Sequence, residues 1–294
     1  MSGHRVGNIF RLICSLALLW SSSASCAPLQ VLTSIRPLAL LVADLGGSAV
    51  QVQVLLPSNS DPHDFALRIS DLQRLQSAAM VIWLGPEFER FLAKPMATKT
   101  AEQQLMLSAL PNLHWPTSLP NTEAEHSGRD MHLWLNPTNA ALLAQAISAR
   151  LQSALPDQKA QLAERLQQLL LRLDASDAAI QAALGPLKIR PFGVYHDGYG
   201  HWVEHFGLRQ TLSLSAMPAQ HLSAKQLASA RQQLAGAGCL ITDVTEGNRQ
   251  ALAGLFPVPV LEADPLGQSR DYADFPALLD ALQAVFVRCL QPRP

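Results

Sequence analysis

The chain has 294 residues, about twice the usual single-domain length, which sets two domains as the starting expectation. Apolar residues make up 48% and charged residues 15%, a balance that excludes a disordered or acidic-tail protein and supplies ample core material. Net charge is −1 (22 Lys+Arg, 23 Asp+Glu) with no basic stripe, which argues against a nucleic-acid partner, and both the G-x-G-x-x-G and P-loop glycine patterns are absent.

At the start, Arg5 and Arg11 precede the apolar run Leu12–Trp20, followed by Ser21-Ser-Ser-Ala-Ser-Cys-Ala27. A basic start, a short apolar stretch and small residues after it predict an export signal over residues 1–26, too short to span a bilayer. Cys26 would fit a lipid anchor, but Ser23 stands where a lipobox prefers Leu. Removing the segment takes away two Arg and no acid, so the net charge moves from −1 to −3. Export also leaves Cys239 and Cys289 as the two cysteines deep in the mature chain. In an oxidising compartment two leftover thiols usually pair; the alternative is two buried free thiols.

Residues 29–35 read as a strand, after which Pro37 opens a helix that Gly46-Gly47 closes. Gln51–Leu56 alternates like a strand, Ser70-Asp-Leu-Gln73 resembles a capping box, and Met80–Leu84 reads as a buried strand. Residues 114–130, with two Pro, a Gly and polar filler, read as a mobile loop. From Pro156 to Gly185 no Gly or Pro intervenes, and Leu162, Leu166, Leu169, Leu170 and Leu173 recur at helical spacing. Such a helix would be about 45 Å long, stiff enough to join two lobes. A second series follows, with strands expected at Phe192–Tyr195, Thr211–Ser215, Cys239–Thr242 and Val258–Leu261. Ser223-Ala-Lys-Gln226 starts a helix that Gly236 ends. Alternating strands and helices predict α/β architecture: two Rossmann-like lobes with mostly parallel sheets, residues 27–155 and 186–294, joined by the backbone helix 156–185.

Three of the nine histidines occupy similar places. His63 lies just past a predicted strand, His132 immediately before a helix, and His196 at the end of the second lobe's first strand. Ligands gather outside the carboxyl ends of strands in open α/β sheets, so both lobes can aim imidazoles into one cleft. Asp264, after the last strand, can add a carboxylate from the second lobe. His201 and His205 have i, i+4 spacing, but Trp202-Val-Glu204 between them breaks the H-E-x-x-H pattern, and they read as a solvated helix face rather than ligands.

Val31–Leu38, Val54-Leu-Leu-Pro57, His63–Asp71, Trp83-Leu-Gly-Pro-Glu87, Met131-His-Leu-Trp-Leu135, His196-Asp-Gly-Tyr-Gly200 and Asp264-Pro-Leu-Gly267 occur in the order found in a known family. Together they resemble the zinc-uptake (ZnuA-like) periplasmic solute-binding proteins of bacterial ABC transporters, from about residue 30 to the end. The resemblance implies Zn²⁺ held between two lobes by His63, His132 and His196, with the carboxylate of several relatives falling on Asp264. It also implies a disulfide between Cys239 and Cys289. Relatives carry a Glu before the first ligand, where this chain has Pro62, and many carry a longer His- and acid-rich loop than the one containing His114, His126, Glu123 and Glu125.

The resulting expectation is a monomeric periplasmic receptor, not an enzyme, that captures Zn²⁺ as transported ligand and passes it to an ABC-type permease. A receptor for Mn²⁺ on the same scaffold is one rival. A zinc-dependent hydrolase is another; it would need an open coordination position and a general base. A surface adhesion protein, which would show lipidation, is the third.

Overall fold

The computed structural model describes residues 27–58, 60–62, 65–117, 129–215, 223–246, 249–269 and 271–292. The expected export segment, His63 and most of the 114–130 stretch lie outside these residues. Among the described residues no helix is long and apolar enough to cross a membrane.

The first half runs β1 (Leu29–Thr33), α1 (Arg36–Gly46), β2 (Val50–Val54), α2 (Ile69–Ser77), β3 (Met80–Trp83), α3 (Ala93–Met96), β4 (Gln104–Met106) and α4 (Pro137–Ala154). After α5 (Lys159–Leu184) come β5 (Pro191–His196), α6 (Gly200–Phe206), β6 (Arg209–Ser215), α7 (Ala224–Gln233), β7 (Leu240–Asp243), α8 (Arg249–Ala253), β8 (Val260–Ala263) and α9 (Phe275–Leu290). The sheets are ordered β2-β1-β3-β4 and β6-β5-β7-β8, and every pairing is parallel. One topology is therefore used twice. In each sheet the connections diverge between the two central strands, β1 with β3 and β5 with β7, which opens a crevice at their carboxyl ends.

Local chemistry accounts for these elements. All four residues of β3 are buried, as expected of a central strand covered on both faces. Helix α1 begins with Pro37 in its first turn and buries Leu38, Leu41, Val42 and Leu45, a stripe at i, i+3, i+4 and i+7. The Ser223–Gln226 capping box forms: the Gln226 amide donates to Ser223 Oγ (3.3 Å) and the Ser223 amide to Gln226 Oε1 (2.8 Å). The helix it starts ends at Gln233; Gly236, at φ +82°, sits in the turn beyond. The box expected at Ser70 is displaced. Asp71 instead accepts the Arg68 amide at 3.0 Å, so α2 starts earlier, at Ile69.

The backbone helix matches its expected span, although Pro156–Gln158 winds as a 3-10 turn before α5 proper and Gly185–Leu187 as another after it. Leu162, Leu169, Leu173, Ile180 and Leu184 are buried, with Leu166 and Leu170 half-buried beside them. One apolar cluster runs from Val31 and Ile82 of the first sheet, through Leu143, Leu169 and Ile180, to Val194, Ile241 and Phe286 of the second half. The two lobes thus share a core. Cys239, just before β7, is bonded to Cys289 of α9, with Cα atoms 5.2 Å apart.

Candidate metal site

His196 is the last residue of the central strand β5 and is buried. His132 immediately precedes a 3-10 turn, Leu133–Leu135, whose three side chains are fully buried, and Asn136 then caps α4 by accepting the Thr138 amide at 2.8 Å. Core packing on one side and the cap on the other fix the His132 backbone. Its ring lies edge-on to Phe88 (centroids 5.3 Å apart) and near Trp134 (5.2 Å). From opposite lobes, His132 and His196 bring their Nε2 atoms to 3.4 Å.

That separation has chemical meaning. Two nitrogens on a tetrahedral zinc ion, each at about 2.0–2.1 Å, stand about 3.3 Å apart. Asp130 makes the arrangement possible by accepting both the His132 amide (2.9 Å) and Nδ1 (2.7 Å) on one oxygen, Oδ1. A carboxylate accepts only, so Nδ1 carries the proton and Nε2 presents its lone pair. Burial would raise the Asp130 pKa, but the charge and hydrogen bonds of His132, with the charge of His201, hold it well below the usual carboxylate range. Gly198 supplies room: a Cβ there would lie 2.8 Å from His196 Cδ2 and Nε2 and 2.9 Å from His132 Cε1.

Asp264 is buried, and its carboxylate is held by four donors: the Gln268 amide (2.7 Å), the Ser269 amide (2.8 Å) and hydroxyl (2.6 Å), and the Tyr272 hydroxyl (3.0 Å). Trp134 Nε1 donates to Pro265 O at 2.8 Å, docking the Asp264 loop on the turn that follows His132. Asp243, at the end of β7, is a second buried acid and accepts the Tyr199 hydroxyl. Burial pushes its pKa up to about 6; the Tyr199 hydrogen bond and His132 oppose this, while the charges of Asp264 and Asp61 add to it. Among the described residues no group of three His, Cys, Asp or Glu side chains could hold a metal ion; the expected ligand His63 lies outside them.

The solvated helix face expected at His201 and His205 is not observed. His201 is fully buried, with Nε2 2.8 Å from Asp130 O and Nδ1 3.3 Å from Asn139 Nδ2. Burial lowers its pKa, partly opposed by Asp130. His205 Nε2 pairs with Asp177 Oδ1 of α5 at 2.8 Å. The described base of the 114–130 stretch is anchored on the second lobe: Glu204 accepts the Thr117 amide (2.7 Å), and its other oxygen pairs with His114 Nε2 (2.8 Å). Sequence reasoning passed over Asp130, Gly198, Asp243 and His201 as site residues. The Asp-x-His spacing at 130–132 was the one local signal, since an Asp side chain readily reaches the amide two residues on.

Two parallel-sheet lobes on a shared backbone helix, with imidazoles converging at the central strand ends, define a two-lobed solute-binding receptor. The profile of the family described as ZnuA, zinc-uptake complex component A periplasmic, matches residues 31–288, and the chain belongs to this family. It is 35% identical over 240 residues to the high-affinity zinc uptake system protein ZnuA of Yersinia pestis, covering 74% of this chain and 76% of that one. To the protein of the same name from Haemophilus ducreyi it is 28% identical over 288 residues (89% of this chain, 93% of the relative). Its fold is similar to a crystal structure of ZnuA (TM-score 0.76, 22% identity, 90% and 100% coverage). The same holds for the periplasmic zinc binding protein TroA of Treponema pallidum (TM-score 0.77, 18% identity, 90% and 100% coverage).

Proposed function

We propose that this protein captures Zn²⁺ between its lobes and delivers it to an ABC-type membrane permease for import, acting as a monomeric receptor and not as an enzyme. The observation that carries the reading is the 3.4 Å approach of His132 and His196 Nε2, the edge length of a tetrahedral zinc site. His63 supplies the third nitrogen, and Asp264 or a water the fourth position. Three nitrogens with one oxygen favour zinc over manganese, which prefers oxygen-rich sites. Residues 1–26 direct export to the periplasm; 27–155 and 186–294 form the lobes, and 156–185 the connection.

Native mass spectrometry of protein purified without added metal, then challenged with Zn²⁺, Mn²⁺ and chelator, tests this directly. One zinc per chain, retained against manganese, is the expected result. His63→Ala, His132→Ala and His196→Ala should each weaken zinc binding severely. Wild-type zinc affinity in any of the three overturns the ligand assignment.

A further inference from the structure

We propose that His201 of the second lobe is a positioning residue for His132 of the first, acting through the main-chain carbonyl of Asp130. This rests on the zinc-binding reading above for its functional consequence, though its structural half can be tested without metal.

The argument begins with Asn139, on α4. Its Oδ1 accepts the His114 amide and its Nδ2 donates to the His114 carbonyl, both at 2.8 Å. A backbone N–H can only donate and a C=O only accept, so the two ends of the Asn139 amide are distinguished. Nδ2 is then the donor to His201 Nδ1 at 3.3 Å, which makes Nδ1 the acceptor and puts the ring proton on Nε2. That proton meets the Asp130 carbonyl at 2.8 Å, an interaction only the N–H form can make. Asp130, held by its carbonyl, turns its carboxylate onto the His132 amide and Nδ1. One chain of donors and acceptors runs from the His114 backbone to the lone pair of His132 Nε2.

Two further features belong to the same device. The ring of His201 is fully buried, so water does not compete for its bonds. Gly200, its neighbour on α6, leaves space for the carboxylate: a Cβ there would lie 2.7 Å from Asp130 Oδ2. The start of α6 thus presses on Asp130 at both its carbonyl and its carboxylate. A helix of one lobe sets the direction of a ligand on the other.

The test uses the mature protein and His201→Ala, His201→Gln and, as a control, Leu252→Ala, which opens a cavity in a separate apolar cluster of the second lobe. Gln keeps one donor and one acceptor; Ala keeps neither. Nitrogen-15 NMR of the apo protein should show wild-type His201 protonated on Nε2 and His132 on Nδ1. In His201→Ala the His132 signal should shift toward a tautomer mixture, and His201→Gln should restore it. Zinc affinity, by chelator competition, should fall about 10–100-fold in His201→Ala, the usual cost of losing an outer-sphere partner, with recovery in His201→Gln and no change in Leu252→Ala. A wild-type His201 protonated on Nδ1 overturns the proposal even if the Ala variant does not fold. So does a His201→Ala protein with unchanged His132 tautomer and wild-type affinity, or an equal loss in Leu252→Ala. Failure of the wild-type protein to bind zinc would instead overturn the functional reading, leaving the NMR arm to judge the positioning.

Discussion

His132 and His196 approach to 3.4 Å between Nε2 atoms, and Gly198 is the residue that lets them. A methyl at 198 would sit under 3 Å from both rings, so one must move. Gly198→Ala should therefore weaken zinc binding by about tenfold or more, in line with the sensitivity of metal ligands to their supporting shell, while leaving the circular dichroism unchanged. Chelator competition at wild-type affinity would refute this reading of the glycine.

Asp264 separates two roles that the histidines do not. In the proposed site a water can take its place on the zinc, so Asp264→Ala should weaken zinc binding less than any of the three histidine replacements. As an acceptor it holds four donors, and its removal takes a charged acceptor from the buried Tyr272 hydroxyl, whereas exposed Ser269 can turn to water. The apo protein should lose about 1–3 kcal/mol of stability, the usual cost of taking away one partner of a buried hydrogen bond. Denaturant titration of apo protein checks this; unchanged stability would mean that the loop re-pairs with water.

Glu89 gives a pH signature independent of metal. It is fully buried beneath the end of β3 and accepts the Leu84 (3.1 Å) and Gly85 (2.9 Å) amides. Burial, only partly offset by the Ser34 hydroxyl and these amides, raises its pKa from 4.5 to about 7. The fold therefore retains a proton that the unfolded chain releases, and wild-type stability falls as pH rises from about 4.5 to about 7. The cost reaches about 3 kcal/mol and stays constant above that range. Glu89→Gln should lack this slope: its stability relative to wild type should rise across the same window. Parallel stability curves for the two proteins from pH 4.5 to 8 would be inconsistent with a raised pKa.

Reducing the Cys239–Cys289 bond reopens a loop spanning 50 residues. The chain-entropy model gives a loss of about 4 kcal/mol. Denaturation of exported protein with and without reductant measures it, and a thiol assay on unreduced protein should find both cysteines blocked.

Loading with zinc should change the overall dimensions little. The apolar cluster passes without a break through α4, α5 and α9, so rotating one lobe against the other would tear packed side chains apart. Small-angle scattering of apo and loaded protein should give nearly equal radii of gyration. A clear compaction on loading would contradict the shared core.

How legible the molecule was depended on how local the information is. Met80-Val-Ile-Trp83 announces a buried strand by itself, and Leu162 to Leu173 announces a helix face. Strand β4 escaped because only one of its three residues, Leu105, is buried, too short a pattern to stand out. The Ser70 box failed because Asp71 offers the stronger, charged acceptor one turn from Arg68. Placement singled out both imidazoles: His196 at the end of β5, His132 just ahead of the turn and helix that follow it. His201 was misread because its polar character suggests solvent, while its partners, Asp130 and Asn139, lie 71 and 62 residues away. Pairings of that range are set by the packing of two lobes, and no periodicity encodes them.

The Cys239–Cys289 bond also bears on which atoms compete for the cargo. A thiolate is a soft, strong zinc ligand, and two of them on a newly exported chain would offer the ion a rival resting place before any site had formed. Oxidation turns both sulfurs into parts of a covalent crosslink that has no thiolate to give. In the proposed site, zinc arriving at the mature fold meets imidazole and carboxylate instead, ligands that protons and exchange can persuade to let go. For a carrier whose task ends in release, withdrawing the stickiest donors matters alongside placing the right ones, and the same bond that braces α9 performs both services.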